Sequence, residues 1–179
     1  LQDGDTILQG IARERRLLAS LRARADVIID TSDLSVHDLA RRMERFTETE
    51  GRTGPDLQVS VESFGFKYGL PLDANFVLDV RFLDNPYWID ELRHLNGLDQ
   101  PVRDYVLGLP GAGEFIDRYT SALLLALKGS AEQRQRHVTV AVGCTGGKHR
   151  SVAIAEAIAG LVARAGYHVQ AHHRDLGRE

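Results

Sequence analysis

Alternating apolar and polar positions predict two β-strands in the middle of the chain, one from Leu57 to Phe64 and one from Ala74 to Leu83. Gly65 to Gly69 is predicted to turn the chain after the first strand, and Asp84-Asn85-Pro86 ends the second. A largely apolar run that begins at Val138 predicts a third strand, and Val169 to Ala171 a short last one.

Apolar residues at helical spacing predict several amphipathic helices between these strands. One spans Asp5 to Arg24, and another follows Ser35, a plausible N-cap with Asp38 three residues on. Further helices are predicted from Pro101 to about Leu109, from Glu114 to Leu127, and from the glycine-rich turn after the third strand to Gly166. Strands that alternate with helices predict an α/β fold, a layered sheet with flanking helices, in which ligands bind at the carboxyl ends of the strands.

Two parts of the chain are distinguished by composition. Residues 1 to 46 contain the first two helices and a short strand predicted for Ala25 to Asp30. Residues 47 to 56 hold two glycines and a proline among polar residues and are predicted to be a linker, so the second domain would span 57 to 179. The chain starts at Leu1 and its only methionine is Met43, so we expect it to be part of a longer protein.

The junction between the third strand and the last helix is typical of an anion-binding site. Gly143, Gly146 and Gly147 can take positive φ and let an anion approach the main chain, while the first N–H groups of the helix have no partner within it. Lys148, His149 and Arg150 add side-chain donors. A plain strand-to-helix connection with solvated charges is the alternative, and the clustering of donors favours an anion site.

The sequence allows either anion binding or catalysis at this loop. The Walker A pattern is nowhere in the chain, so we do not expect this loop to hydrolyse a nucleotide. Cys144, Arg150 and Ser151 are spaced as in the Cys-x5-Arg-Ser/Thr loop of cysteine-dependent phosphatases, where Asp79 or Asp84 could serve as general acid. Gly143 stands where those phosphatases usually have histidine, which favours a structural role for Cys144 behind the loop.

Four residues outside the loop are candidates to face the same ligand. Lys67 and Tyr68 lie on the glycine-flanked turn, and Asp79 and Arg81, two apart in a predicted strand, share one face. The alternatives are a surface turn and an ordinary Asp–Arg ion pair.

Composition narrows the class of protein. With 43% hydrophobic and 26% charged residues, no apolar run of membrane-spanning length and one cysteine, the chain is predicted to be a soluble cytoplasmic protein without a disulfide. The His172-His173 pair has no companions at metal-ligand spacing, so we expect no metal. The net charge is −3, but residues 144 to 179 carry five Lys/Arg against three Asp/Glu, so a nucleic-acid contact would start there.

Four segments together resemble the RapZ/YvcJ family, bacterial nucleotide-binding and RNase adapter proteins. The segments are Glu62-Ser-Phe-Gly-Phe-Lys67, Asp79-Val-Arg-Phe-Leu-Asp-Asn-Pro86, Gly97-Leu-Asp-Gln-Pro101 and Gly143-Cys-Thr-Gly-Gly-Lys-His-Arg-Ser151. The resemblance covers nearly the whole chain. It implies that residues 1 to 46 are the end of a P-loop kinase-like domain and that residues 57 to 179 are a complete C-terminal domain similar to a phosphofructokinase subdomain.

The resemblance also implies a function. Family members bind ATP or GTP with Mg through a P-loop that this chain lacks, hydrolyse it slowly, and form homo-oligomers. Enterobacterial members bind glucosamine-6-phosphate and a small regulatory RNA, which they deliver to an endoribonuclease, and a Gram-positive relative is associated with UDP-N-acetylglucosamine. We therefore expect a non-catalytic, cofactor-free fragment that senses an amino-sugar phosphate or nucleotide sugar and acts as an RNA and RNase adapter.

The residues expected to act follow from the resemblance and the residue pattern together. The sugar-phosphate site is expected to comprise Thr145, Gly146, Gly147, His149, Arg150, Ser151, Lys67, Tyr68, Asp79 and Arg81. The RNA contacts are expected at Lys148, Arg150, Lys67 and Arg174. Enterobacterial members have histidine at the position of Tyr68, so the identity of the sugar is open.

Overall fold

A computed structural model describes residues 7 to 36, 38 to 39, 42 to 43 and 57 to 178 of the chain. The strands are β1 (Gln58–Gly65), β2 (Phe76–Asp79), β3 (His137–Cys144) and β4 (His168–His173). The helices are α1 (Ile7–Arg24), α2 (Asp90–Arg93), α3 (Gln100–Gly108), α4 (Ala112–Glu132) and α5 (Arg150–Arg164). The linker predicted for residues 47 to 56 lies outside the described residues.

The four strands form one parallel sheet in the order β2-β3-β1-β4, which confirms the predicted α/β fold with flanking helices. β3 and β1 are the central strands, and their residues are almost continuously buried. This is the pattern expected of parallel strands inside a layered domain. Helix α5 contacts β1, β3 and β4 as well as α3 and α4, so it holds the helical layer to the sheet.

The hydrophobic core lies between the sheet and these helices. Val59, Val61, Val138 and Val140 point to this side from the central strands, in register across the β1–β3 pair. From the helices, α5 contributes the largest group, comprising Ala153, Ile154, Ala155, Ile158, Ala159 and Val162. An alternating run of valines at one side of a strand buries well against a small-residue helix, which explains why this layer is fully enclosed.

The other side of the sheet carries polar side chains over most of its area. We call it the polar face, and it is formed by Gln58, Ser60, Glu62, Thr139, Gln170 and His172. Arg42, from the helical residues that follow Ser35, makes ion pairs here with Glu62 at 3.9 Å and with Asp73. Among the described residues, charged side chains therefore take part in the contact between the N-terminal part and the sheet.

Several boundaries differ from the predictions. Residues 25 to 30 are not a strand, because the ladders among the described residues join only β1 to β4 and leave this segment without a partner. Strand β2 stops at Asp79, since its carboxylate accepts the N–H of Arg81 at 2.9 Å and turns the chain. The turn after β1 is a 3₁₀ helix, Phe66–Tyr68, ended by Gly69 at φ 88°.

The helices agree more closely with the pattern. The Ser35 cap is confirmed, because its hydroxyl accepts the Asp38 N–H while the Asp38 carboxylate accepts the Ser35 N–H, each at 3.2 Å. Helix α4 extends the predicted Glu114–Leu127 segment at both ends, and the short α2 was not predicted.

Candidate anion-binding site

The four parallel strands end at the same edge of the sheet, and the loops that follow them lie side by side. These are residues 66 to 69, 80 to 86, 145 to 149 and 174 to 178. Backbone hydrogen bonds join them: the N–H of Lys67 donates to Thr145 O at 3.2 Å, and the N–H of Val80 to Gly143 O at 2.9 Å. The topology thus brings the sequence-predicted residues to one edge, where open α/β sheets bind ligands.

The loop of residues 145 to 149 is shaped by close backbone packing. Gly147 has φ 76°, and a Cβ there would lie 2.7 Å from the N atom of Gly65. Gly143 and Gly146 do not take positive φ, so that part of the expectation was wrong for them. Gly143 is needed for space instead, because a Cβ on it would lie 2.4 Å from the ring of Phe64. A Cβ on Gly146 would meet only the end of Lys67, at 3.9 Å, so this glycine leaves the loop surface open.

Helix α5 begins directly after this loop. His149 is its N-cap residue, and its side chain makes no capping hydrogen bond to the N–H groups of the first turn. His149 and Ser151 are buried, whereas Thr145 is exposed and Gly146 half-buried. The predicted phosphate-contacting residues thus differ in exposure, from exposed to fully buried.

Arg150 lies beneath the loop with only 4% of its surface exposed. Its Nη1 donates to the carbonyl oxygens of Arg81 at 3.1 Å and Leu83 at 2.8 Å, and its Nη2 lies 3.4 Å from the hydroxyl of Thr145. Its buried Nε has no hydrogen-bond partner among the described residues. The guanidinium therefore joins the loop after β2 to the loop after β3 through Nη1 and Nη2.

Cys144 is the last residue of β3 and is 3% exposed. Its Sγ accepts the N–H of Gly147 at 3.3 Å and lies 3.1 Å from the hydroxyl of Ser151. These contacts join the end of β3 to the 145 to 149 loop and to the start of α5. A phosphatase would need the sulfur open to a phosphate, and Arg150 would have to hold the phosphate instead of two main-chain carbonyls.

Lys67 and Tyr68 extend the edge on the β1 side. The Lys67 Nζ lies 4.6 Å from the centre of the Tyr68 ring, and Lys67 is exposed. Tyr68 also lines a separate cavity of about 530 Å³ between the N-terminal segment and the polar face. Arg174 and Arg178 line this cavity too, while residues 145 to 150 do not. Tyr68 and Arg174 therefore lie on the cavity beside the polar face as well as on the loops at the end of the sheet.

Asp79 and Arg81 form a two-point ion pair on the exposed surface. Arg81 donates from Nε at 3.0 Å and from Nη2 at 2.6 Å, and its guanidinium lies 4.0 Å from the centre of the Phe66 ring. The hydrogen bond from Arg81 lowers the pKa of Asp79 below its ordinary value, against the opposing effect of burial. Asp79 and Arg81 are therefore hydrogen-bonded to each other.

Lys148 connects the loop to the segment after β2. Its Nζ donates to Arg93 O at 3.3 Å, and its carbonyl accepts the N–H of Gly97 at 2.8 Å. Asp84, the other candidate acid of the phosphatase hypothesis, is exposed.

Asp175 is a functional candidate that the sequence analysis missed. It is 1% exposed and accepts the N–H of Gly65 at 2.8 Å. It also binds Arg174 at 2.7 Å and Arg178 at 3.1 Å. Its partner Gly65 lies 110 residues away, and its partners Arg174 and Arg178 lie within three residues. In the sequence, only the Arg-Asp-x-x-Arg spacing could have indicated that Asp175 forms ion pairs. Asp175 fixes the C-terminal loop against the end of β1.

Two further findings concern metal ions and the membrane. Among the described residues no group of three or more His, Cys, Asp or Glu side chains is placed to hold a metal ion. Within the same part of the chain, no helix combines the length and apolar character needed to cross a membrane.

Comparison with known proteins gives matches along both parts of the chain. Residues 57 to 177 match the RapZ C-terminal domain, and residues 1 to 51 match the RapZ-like N-terminal domain. A nucleotide-binding protein of Mycobacterium ulcerans (strain Agy99) is 56% identical over 180 residues, which cover 100% of this chain and 58% of that protein. Nucleotide-binding protein Rv1421 of Mycobacterium tuberculosis (strain ATCC 25618 / H37Rv) is also 56% identical, and the match covers 59% of it. The chain thus spans less than two thirds of these relatives.

Proposed function

The chain belongs to the RapZ family, and from that premise we propose that residues 57 to 178 form a regulatory module that binds an amino-sugar phosphate or a nucleotide sugar. The observation that carries this proposal is the buried Arg150 at the start of α5. Its guanidinium fixes two neighbouring loops, and its Nε has no hydrogen-bond partner among the described residues. A phosphate at the loop would supply acceptors for donors at this strand-to-helix junction.

The charges around the edge support an anionic ligand. The four loops and the first residue of α5 carry six cations, which are Lys67, Arg81, Lys148, Arg150, Arg174 and Arg178. Three carboxylates accompany them, from Asp79, Asp84 and Asp175. The local charge is positive although the whole chain carries −3, so phosphate would be attracted to this edge in particular.

The site is proposed to bind without a chemical step. The buried Cys144 and the engaged Arg150 are arranged to support the loop, which favours binding over phosphoryl transfer. Occupancy would report the supply of the sugar by changing what the same cationic edge can hold.

The names of the relatives suggest a further role for the whole protein. They are nucleotide-binding proteins, and the Walker A pattern does not occur in these 179 residues. We propose that binding of ATP or GTP with Mg by full-length members depends on a part of the protein outside this chain.

RNA binding at the same edge is a second proposed function. Lys67 is exposed, and Lys148 and Arg174 are partly exposed, so three cations can reach the phosphates of a macromolecule. Because the same cations would attract both, a sugar phosphate and an RNA phosphate would compete. An endoribonuclease would then receive the RNA only when the sugar is scarce.

Calorimetry tests the sugar-phosphate proposal. The ligands are glucosamine-6-phosphate, UDP-N-acetylglucosamine and inorganic phosphate, each titrated into the wild-type chain. We expect saturable binding of at least one sugar ligand, weakened at least about tenfold in Lys67→Ala because one charge-assisted contact is lost. Arg150→Lys keeps the charge but not the fork and should bind more weakly still.

Arg164→Ala is the matched control, because Arg164 lies at the opposite end of the same helix. It should leave all affinities unchanged. If no sugar ligand binds, or if the Arg164 variant loses as much affinity as the Lys67 variant, the loop is not the site.

A further inference from the structure

Three aromatic side chains are exposed on the segment that follows β2. Trp88 is 76% exposed, Phe82 59% and Tyr87 47%. Large aromatic side chains contribute most to stability when buried, and clusters of them at the surface commonly mark a binding site. Phe82 is partly accounted for by an edge contact to Phe115 at 4.8 Å.

Hydrogen bonds hold this segment against the anion-binding loop. Arg150 donates to the carbonyls at its start, those of Arg81 and Leu83, and Lys148 donates to Arg93 O at its end. Arg93 in turn donates from Nε to Tyr87 O at 3.0 Å. The exposed aromatic pair and the proposed phosphate site are therefore joined through one short chain of contacts.

The geometry of Tyr87 and Trp88 leaves aromatic surface available. Their rings meet edge to face, with centroids 5.4 Å apart and planes at 84°. The Arg93 guanidinium lies 5.3 Å from the centre of the Tyr87 ring and pairs with Asp90 at 2.8 Å. In the described part of the chain, Trp88 makes no ring contact other than the one with Tyr87.

We propose that Trp88 stacks on the nucleobase of a nucleoside phosphate whose phosphate is bound at the 145 to 150 loop, while the Tyr87 ring, at 84° to it, supports Trp88 from its edge. A flat base has a π-face that stacks on exposed aromatic rings, and the neighbouring cations supply the charge that its phosphate requires. This inference rests on the proposed function and specifies it: the ligand is a nucleotide or nucleotide sugar, and the aromatic pair distinguishes it from a sugar phosphate that lacks a base.

The test compares UMP with ribose 5-phosphate, which has the same phosphorylated pentose without the base. Trp88 is the only tryptophan in the chain, so intrinsic tryptophan fluorescence reports on this position alone. We expect UMP to change the Trp88 emission saturably. Ribose 5-phosphate and inorganic phosphate should bind without the same change.

Calorimetry of variants then measures the contribution of the ring. Trp88→Ala should weaken UMP binding by about 5- to 100-fold, the range found when a stacking ring is removed, and leave ribose 5-phosphate unchanged. Trp88→Phe keeps a smaller ring and should lose less. Leu125→Ala removes an equally exposed apolar side chain from α4 and should change neither ligand.

Three outcomes would overturn the inference. In the first, UMP and ribose 5-phosphate bind with equal affinity to the wild type and to Trp88→Ala. In the second, rising protein concentration shields Trp88 from iodide quenching, which would assign the aromatic pair to an interface with a second copy. Failure of inorganic phosphate and of every sugar ligand to bind would instead remove the proposed function itself, and this inference with it.

Discussion

Gly97 lies where a connecting loop touches the start of α5. A Cβ at this position would lie 2.4 Å from His149 O and 2.6 Å from the Cβ of Val152. Because the nearest atom belongs to the backbone, it cannot move aside cheaply. We expect Gly97→Ala to lower the free energy of unfolding by about 1–3 kcal/mol or more, measured by urea denaturation, and to weaken phosphate binding by displacing His149.

Gly129→Ala is the matched control for this prediction. Gly129 lies within α4, and an added Cβ there would meet nothing within 4 Å. The substitution should therefore stabilise the protein by about 0.5–1 kcal/mol through helix propensity. Equal effects of the two substitutions would show that the contact at Gly97 is not tight.

Single residues of the site were predictable where their chemistry is local. The glycines and cations of the 145 to 150 loop stand together in the sequence, so their pattern predicted a strand-loop-helix junction, which the structure confirms. The packing role of Gly97 and the ion pairs of Asp175 were not predicted, because the atoms that they contact lie in distant segments. A single sequence does not show such contacts.

At the scale of elements, a partly buried hydrogen-bonded network joins β1, β4 and α5. The Ser63 hydroxyl lies 2.8 Å from His173 Nδ1, and His173 Nε2 lies 3.1 Å from the Glu156 carboxylate. Burial lowers the pKa of His173 below its ordinary value, although Glu156 opposes this. Burial also lowers the pKa of His137 at the start of β3.

These shifts predict how stability depends on pH. Each histidine binds a proton more readily in the unfolded chain than in the folded one, so stability is fully present above the ordinary histidine pKa and is lost as pH falls through the lower folded value. Between about pH 7 and pH 5.5, urea denaturation should show a loss of at most about 1.4 kcal/mol per pH unit for each histidine.

His173→Asn is the informative variant, since asparagine can keep a hydrogen bond to Ser63 but does not titrate. It should flatten the pH dependence in this range, and His173→Asn combined with His137→Asn should flatten it further. A slope equal to that of the wild type in both variants would contradict the assignment to these histidines.

The elements were predictable to different degrees, for physical reasons. The buried central strands and α5 follow from apolar runs bounded by glycines, and both were found. Ala25 to Asp30 has the composition of a strand, but composition cannot supply a neighbouring strand to pair with. Strand β2 was overestimated because the Asp79 side chain competes for the N–H of Arg81 and ends the ladder early.

At the scale of the whole molecule, the separation of charge predicts how RNA would bind. The net charge of −3 repels a polyanion, whereas the cationic edge attracts it. If the three accessible cations Lys67, Lys148 and Arg174 each neutralise one phosphate, the logarithm of the RNA association constant should fall with the logarithm of salt concentration with a slope of about −2. Fluorescence anisotropy of a labelled single-stranded RNA at several salt concentrations measures this slope.

Removing one cation should reduce the magnitude of the slope. Lys67→Ala is expected to lower it by about 0.7, and Arg164→Ala, at the far end of α5, to leave it unchanged. Addition of glucosamine-6-phosphate should displace the RNA. An RNA affinity that is independent of salt and of Lys67 would exclude this edge as the binding surface.

The polar face has a consequence for the modular construction of the protein. Where the N-terminal segment meets it, Arg42 forms ion pairs with both Glu62 and Asp73. Separating the two parts would cost those ion pairs but would leave the hydrophobic core covered, since its residues on β1 and β3 point to the opposite side of the sheet. We therefore expect residues 57 to 178 to keep this core when they are separated from the N-terminal part.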